Sequence, residues 1–252
     1  MLQNRGQIWL ALMLRDIRSR RGRTAESFLL ILIEPIGQLL IVYFIFAVLR
    51  RRPDFGDSLL LFLLSGILPY FLFTHVVGRI MGAIRIAQPM LPLGVISVVD
   101  VAIAQLVLET LVVAGMGSLL LFGCWLAGVD AAIPSSFLQV MLAMTATAFA
   151  AFGMGLFNAA VVTFFTAYRL LWTLVARSLL FFSAVFFVVD VLPPRLRAVL
   201  SWNPLLHGVI WFREGIYANY PTATLSYVYL IGFGLFATLI GLSLENLVRR
   251  RT

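Results

Sequence analysis

The ionisable residues inside long apolar stretches are the first candidates for chemistry, because a charge within a membrane span is costly and is kept for a purpose. They are Glu34, Asp100, Glu109 and Arg177. Glu34 and Asp100 fall near the ends of their stretches, where we expect water to hydrate them. Glu109 and Arg177 fall well inside theirs, so we predict that the two side chains pair or line a wet cavity. A proton-coupled carrier would also use such carboxylates, and this alternative stays open.

Enzymatic chemistry finds little support in the residue types. The two histidines, His75 and His207, are predicted near the outer side of a membrane, without a carboxylate or cysteine beside them. No run of residues has metal-ligand spacing, and no Ser-His or paired-carboxylate arrangement stands out. The sequence also contains no lysine, which a Walker A loop and a Schiff-base enzyme both require. We therefore predict no catalytic residue, no metal site and no cofactor bound by this chain.

The composition indicates the class of protein that must position these residues. Of the 252 residues, 62% are hydrophobic and 12% are charged, and the mean hydropathy is +1.00. Soluble domains are about half apolar and about a quarter charged, so we predict an all-α polytopic membrane protein. The net charge of +8 comes from arginines that flank apolar stretches. That distribution indicates membrane orientation, not nucleic-acid binding.

Six stretches are long enough for the roughly 20 residues that a membrane-spanning helix needs. They are residues 28–49, 58–77, 95–127, 137–165, 170–191 and 225–244. We predict one transmembrane domain over residues 1–252, with both termini on the same side. Putting the termini in the cytosol gives that side twelve arginines against six on the other, as the positive-inside rule requires. Arg50, Arg51 and Arg52 do not follow this rule.

Three segments outside these spans have their own patterns. Residues 5–23 are basic, and one helical face carries Leu10, Met13, Leu14 and Ile17. This pattern predicts either a helix on the membrane surface or a basic flank that only orients the first span. Residues 78–94 predict a cytosolic loop or short amphipathic helix. Residues 192–224 are proline-broken and partly apolar, which predicts short outer helices dipping partway into the membrane.

Aromatic residues are the remaining candidates for a binding surface. Tyr43 and Phe44 lie in the first predicted span, and Trp172 and Phe181 lie in the fifth. Sugar rings present apolar C–H faces that can stack on such side chains. Their spacing does not separate a glycan track from ordinary packing.

The order of these features resembles a known family. The matching stretches are Leu14-Arg15-Asp16-Ile17-Arg18-Ser19-Arg20, Leu32-Ile33-Glu34-Pro35, Trp202-Asn203-Pro204-Leu205-Leu206-His207 and Arg213-Glu214. In this order, along essentially the whole chain, they resemble the permease subunits of ABC-2-type exporters, particularly those for capsular polysaccharide and O antigen. The stretch 21–27 departs from related permeases, which usually have a more aromatic approach to the first span.

The resemblance implies a bacterial inner-membrane homodimer, in which each copy docks a separate ATPase subunit that binds ATP and Mg. The implied substrate is a lipid-linked capsular polysaccharide, and a periplasmic co-polymerase or adaptor is a further implied partner. The alternative is export of another amphiphile, such as O antigen, teichoic acid, a lipid or a drug.

The resemblance also implies three sets of site residues. ATPase docking is assigned to Arg79, Ile80, Met81, Ile84 and Arg85, with Arg15 and Arg18 from the interface helix. The glycan path is assigned to Glu34, Gln38, Tyr43, Phe44, Trp172, Arg177 and Phe181. The outer gate is assigned to Trp202, Asn203, Pro204, His207, Arg213 and Glu214.

Overall fold

The computed structural model describes residues 2–20, 26–49, 52–88 and 96–249, with side chains for 5–17, 36–49, 52–88 and 96–248. The side chains of Arg18 and Glu34 therefore lie outside the described part. So do Arg50, Arg51 and residues 89–94 of the predicted cytosolic segment, and residues 21–23 of the predicted interface helix.

Within these ranges the chain folds into helices joined by turns. In chain order they are α1 (Leu2–Arg20), α2 (Glu26–Val48), α3 (Leu59–Ile80), α4 (Ala83–Ala87), α5 (Val98–Leu126), α6 (Phe137–Phe164), α7 (Tyr168–Phe182), α8 (Pro194–Leu200), α9 (Pro204–Ile216) and α10 (Tyr227–Arg249). The predicted all-α class is confirmed. Four helices, α3, α5, α6 and α10, are long and apolar enough to cross a bilayer, and Ile36–Val48 of α2 is a shorter apolar helix.

Two helices form the centre of the bundle. Of an 18-residue apolar stretch in each helix, 83% is buried in α3 and 67% in α6. The corresponding share is 28% in α5 and 22% in α10. Helix α3 packs against α5, α6 and α9, while α6 also packs against α9 and α10. Because lipid tails are as apolar as leucine, the outward faces of α5 and α10 need no protein cover.

Local sequence explains where these helices begin. The Oγ atoms of Ser58, Ser97 and Ser136 accept hydrogen bonds from backbone N–H groups in the first turns of α3, α5 and α6. At α5 the Asp100 carboxylate completes a capping box by accepting from the Ser97 backbone. Asn203 caps α9 in the same way, ahead of a proline in its first turn. These caps satisfy N–H groups that have no partner within the helix.

The predicted fifth span over residues 170–191 is interrupted. Helix α7 has 15 residues and ends at Phe182, so it is about 22 Å long where a bilayer core is about 30 Å thick. Ala184 then takes a left-handed conformation with φ 59°, and a 3-10 turn follows at Val189–Val191. The composition stays apolar through this break, so the hydropathy pattern did not reveal it.

The side chain of Arg213 satisfies the carbonyl groups that this break leaves free. It is fully buried, at 0% exposure, and its guanidinium lies 4.0 Å from the centre of the Phe62 ring. It donates hydrogen bonds to the backbone oxygens of Ala184 (2.7 Å), Val185 (2.7 Å), Phe187 (3.3 Å) and Phe62 (3.1 Å). It also donates to the hydroxyls of Ser65 (3.3 Å) and Tyr220 (3.1 Å). No carboxylate is among the described partners of this guanidinium, which is bound by carbonyl and hydroxyl oxygens. We call this set the Arg213 cage.

A glycine is needed where the cage meets α3. A Cβ atom at Gly66 would lie 2.8 Å from Nη2 of Arg213 and 2.9 Å from Cα and O of Val185. These separations are shorter than van der Waals contact, and two of the atoms belong to the backbone. Gly66 therefore lets α3 approach the broken end of α7.

We predict that Arg213→Lys destabilises the protein by more than about 2 kcal/mol, because lysine has fewer donors and no planar fork, which leaves buried carbonyls unpaired. The matched control is Arg177→Lys, at an exposed position of α7, which should change stability by less than about 0.5 kcal/mol. Thermal unfolding of the purified variants in detergent measures both. Equal unfolding temperatures for the two variants would contradict the structural role of the cage.

The α6–α10 contact generates a second prediction, because a Cβ at Gly234 would lie 2.7 Å from Cδ1 of Phe149 and 3.2 Å from Cα of Ala150. We expect Gly234→Ala to destabilise the protein by about 1–3 kcal/mol through overpacking. Gly232→Ala, on the same helix with nothing within 4 Å of the added atom, should leave stability unchanged or raise it by up to about 1 kcal/mol. Unfolding in detergent compares the pair, and a Gly234→Ala protein as stable as its control would show that the helices are not in tight contact there.

Candidate functional site

The N-terminal helix is anchored to the start of α5 through Asp100. This carboxylate accepts hydrogen bonds from Nε1 of Trp9 at 2.9 Å and from Nη1 of Arg5 at 3.4 Å. The same carboxylate accepts from the Ser97 hydroxyl at 2.7 Å. Asp100 is buried, so the prediction of a hydrated carboxylate was wrong: its polar partners are Trp9 and Arg5 of α1 and the cap residue Ser97.

The faces of α1 follow from this anchor. Leu12 is buried, and Met13 and Ile17 are half-buried. Leu10 and Leu14 of the predicted apolar face stay exposed. Because Leu10 and Leu14 are left uncovered by α5, this helix presents apolar side chains that suit a membrane surface.

Residues 78–88, the described part of the predicted cytosolic segment, contain the end of α3, a turn at Met81 and Gly82, and α4. This confirms a short helix in the described part of the predicted segment. Ile80, Met81 and Ile84 are buried, whereas Arg79 and Arg85 are exposed. The apolar members of the predicted docking set therefore hold α4 against the bundle, and the arginines are the members that face outward.

A charged contact links the C-terminal end of α3 to α5. Glu109 has a side chain only 2% exposed, and its Oε1 lies 3.1 Å from Nε of Arg79. Its Oε2 lies 4.0 Å from Nδ1 of His75. The predicted pairing of Glu109 with Arg177 was wrong, because Arg177 is exposed on α7 while α5 packs on α3.

The position of His75 is corrected as well. It lies beside Glu109 and four residues before Arg79, near the C-terminal end of α3, where an outer position without a neighbouring carboxylate was predicted. The pair was not predicted, because the second predicted span ends at Val77 and Arg79 falls in the predicted loop after it.

A cavity of about 480 Å³ opens between α4 and the turn that joins α6 to α7. Its lining combines apolar side chains with hydroxyl groups, an amide and two arginines: Met81, Ile84, Arg85, Gln88, Ala159, Val162, Thr163, Thr166 and Arg169. We call it the Arg85–Arg169 cavity. From the sequence, Arg169 was predicted only to contribute to the orientation of the spans, because nothing in its spacing relates it to Arg85.

The residues predicted for the glycan path lie on two helices at the edge of the bundle. On α2, Gln38 and Tyr43 are half-buried and Phe44 is exposed. On α7, Trp172 is buried, while Arg177 and Phe181 are exposed. Helix α7 is held to α3 by a hydrogen bond from the Tyr70 hydroxyl to the Ala176 carbonyl at 3.2 Å.

An aromatic contact relates the outer ends of these two helices. The Phe186 ring lies 5.8 Å from Phe46 of α2 and 5.5 Å from Phe181 of α7, measured between ring centres. The segment that follows the break in α7 therefore bridges α2 and α7. The two helices keep their remaining apolar faces uncovered in the single chain.

The outer segment forms two helices with opposite surroundings. Helix α8 has no buried residue, and Trp202 just after it is exposed. Helix α9 is almost entirely buried, packed against α6 and α3. Of the predicted gate, Arg213 therefore lies in the interior, and Trp202 lies on the surface.

Side-chain hydrogen bonds join the outer segment to the rest of the bundle. Nδ2 of Asn203 donates to the carbonyl of Phe182 at 3.1 Å and to Oγ of Ser183 at 2.8 Å, so the cap of α9 also binds the end of α7. Glu214 accepts a hydrogen bond from the Tyr227 hydroxyl at 2.8 Å. Pro204 occupies the first turn of α9.

His207 is held in its neutral form by two backbone groups. Its Nδ1 accepts from the Ser226 N–H at 3.1 Å, so Nε2 carries the proton and donates to the Ser201 carbonyl at 2.8 Å. Burial lowers the pKa of His207, and the bond to Ser201 opposes that shift. This histidine therefore fixes the loop between α9 and α10 and offers no free base.

Comparison with known proteins places these features in a family. The sequence matches the family described as ABC-2 type transporter over residues 7–217. The polysialic acid transport protein KpsM of Escherichia coli is 32% identical over 234 residues, which are 93% of this chain and 90% of that protein.

Two further relatives are capsule polysaccharide export inner-membrane proteins. BexB of Haemophilus influenzae is 26% identical over 239 residues, 94% of this chain and 89% of BexB. CtrC of Neisseria meningitidis serogroup A is 25% identical over 234 residues, 92% of this chain and 88% of CtrC. The resemblance drawn from the sequence is confirmed: the chain belongs to the ABC-2 type transporter family.

Proposed function

We propose that this chain is the membrane subunit of an ATP-driven exporter that moves lipid-linked capsular polysaccharide across the bacterial inner membrane. The observation behind this proposal is the sequence similarity to KpsM, BexB and CtrC, which extends over more than nine-tenths of the chain. The long apolar helices suit a multi-pass protein of that membrane. No residue of the chain is assigned a catalytic role.

The proposed topology has six spans with both termini in the cytosol. Helices α3, α5, α6 and α10 supply four of them. We assign the other two to α2 and to α7 together with the turns up to Val191. The excess of arginine at the two chain termini and around residues 78–88 supports this orientation.

The energy source in this proposal is a separate ATPase subunit, with one copy for each permease protomer. The chain has no lysine, and a Walker A loop needs one to hold nucleotide phosphates, so we assign ATP and Mg to that partner. We place its docking surface at the exposed Arg79 and Arg85, with Arg15 and Arg18 of α1 alongside. The buried Ile80, Met81 and Ile84 then support that surface from beneath.

The proposed translocation path runs between two copies of the chain. Helices α2 and α7 leave apolar faces uncovered, including Phe44 and Phe181, and a second copy would cover them. Gln38, Tyr43, Trp172, Arg177 and Glu34 are the remaining members of this path. Above it we place the outer gate, in which Pro204, Asn203, His207, Arg213 and Glu214 hold α9 in position. The exposed α8 and Trp202 then face the path or a periplasmic co-polymerase or adaptor.

The direct test is to locate polymer in a strain that lacks this chain, with surface and cytosolic polysaccharide quantified separately. We expect polymer to accumulate inside and to disappear from the surface, and a plasmid copy of the gene should restore it. Unchanged surface polymer would exclude the polysaccharide and would direct the search to another amphiphile, such as a lipid, teichoic acid or a drug.

The docking surface yields a second test. We expect Arg85→Glu to reduce export at least about tenfold, which corresponds to 1.4 kcal/mol, because the reversed charge faces the ATPase while the fold is kept. ATP hydrolysis by the reconstituted complex should continue. Arg52→Glu, at an exposed arginine ahead of α3 that belongs to none of the proposed sites, serves as the charge-matched control. Normal export by Arg85→Glu would remove Arg85 from the docking surface.

A further inference from the structure

The Arg85–Arg169 cavity combines an apolar floor with a cationic rim. Met81, Ile84 and Val162 contribute apolar surface, and Arg85 and Arg169 come from two different helices. The volume of about 480 Å³ falls within the range of roughly 300–1,000 Å³ that is usual for small-ligand sites. We infer that this cavity binds the phosphate-bearing headgroup of a membrane lipid.

The charge of the cavity favours an anion. None of its lining residues is acidic, and neither guanidinium forms an ion pair with a carboxylate among the described residues. Two like charges around one opening repel each other, and a bound anion relieves that repulsion. Arginine presents a planar set of donors that matches phosphate oxygens in a bidentate arrangement.

One hydroxyl group on the rim can add to this recognition. The Thr163 hydroxyl already donates to the Ala159 carbonyl at 3.0 Å. Thr166 also lines the cavity, and its hydroxyl makes no hydrogen bond with the described part of the chain. Thr166 is therefore the hydroxyl donor that a phosphate oxygen would meet.

The surroundings favour a lipid over a soluble anion or a protein carboxylate. Phe164, Phe165, Leu170 and Leu171, on both sides of the turn, are exposed hydrophobic side chains. Such side chains belong in the acyl region of a bilayer, and the arginine between them then lies at the depth of the headgroups. The apolar floor of the cavity would take the first part of the lipid chain, which neither a free phosphate nor an acidic side chain needs.

The turn that carries Arg169 is fixed from within the bundle. The hydroxyl of Tyr168 donates to Oδ1 of Asn158 at 2.9 Å, and Asn158 is fully buried. Backbone hydrogen bonds from Tyr168 to Phe165 and from Arg169 to Thr166 close the turn. The side chain of Arg169 is thus presented from a backbone that is already ordered, which lowers the entropy lost on binding.

The inference rests on the proposed function only in placing the cavity on the cytosolic side of the membrane. The ligand has two possible sources, and both carry a phosphate on a lipid chain. The lipid could be an ordinary phospholipid or the anchor of the exported polymer. Lipids that co-purify with the full chain from polymer-producing and polymer-deficient cells separate the two. The same phospholipid from both strains identifies a membrane lipid, whereas a phosphate-bearing glycolipid found only with the producer identifies the export substrate; either result supports the site.

The binding experiment uses the full-length permease in detergent, with native mass spectrometry to count bound lipid. The probe is dioctanoyl phosphatidylglycerol, and dioctanoylglycerol is the matched lipid without phosphate. We expect Arg169→Gln and Arg85→Gln each to weaken phosphatidylglycerol binding about tenfold, as expected for loss of a charged hydrogen bond. Arg52→Gln, at an exposed arginine ahead of α3 and outside the cavity, should bind within about twofold of the parent.

Three results would overturn the inference. The first is equal binding of the two lipids, and the second is unchanged phosphatidylglycerol binding by the double variant Arg85→Gln/Arg169→Gln. The third is a loss of ATPase docking in Arg169→Gln with unchanged lipid affinity, which would assign the cavity to a protein contact. Unfolding temperatures equal to that of the parent exclude misfolding. Because binding is measured without transport, a failure here is distinct from failure of the deletion experiment.

Discussion

The guanidinium of Arg213 is the group that holds together α3, α9 and the segment after α7. It is buried without a carboxylate among the described partners and is bound by carbonyl and hydroxyl oxygens from α3, the end of α7 and Tyr220. The backbone oxygens that it binds after α7, those of Ala184, Val185 and Phe187, lie past the helix end, where no helical N–H is available to them. The same contacts make the arginine tolerable in the interior, because every oxygen it meets offers a hydrogen bond.

A second charged contact lies near the opposite end of α3. The Arg213 cage touches Phe62 and Ser65 near the start of that helix, and Arg79 meets Glu109 near its end. Helix α3 is the most buried of the candidate spans and lies between α5, α6 and α9. It is therefore the element that joins the Arg79–Glu109 contact to the Arg213 cage. Helix α8 has no buried residue and lies outside this core.

The sequence predicted the helices better than the contacts between them. The apolar stretches and the proline-broken segment 192–224 could be predicted because each depends on neighbours in the chain. The break in α7 could not be predicted, since residues 183–191 contain no glycine or proline and continue an apolar run. It depends on Arg213, about thirty positions further along. The partner of Glu109 was missed for a related reason: Arg79 lies just past the predicted end of a span, where hydropathy says nothing about which way a side chain turns.

The use of arginine alone as the cation fits all of these sites. The chain has no lysine, and its positive charge is supplied by arginine. A lysine buried like Arg213 would tend to lose its proton, because burial disfavours the charged ammonium. A guanidinium stays charged in such surroundings and can bind several oxygens in one plane. The cage demands both properties, because Arg213 is fully buried and binds several oxygens, which explains why substitution by lysine is not conservative at this position.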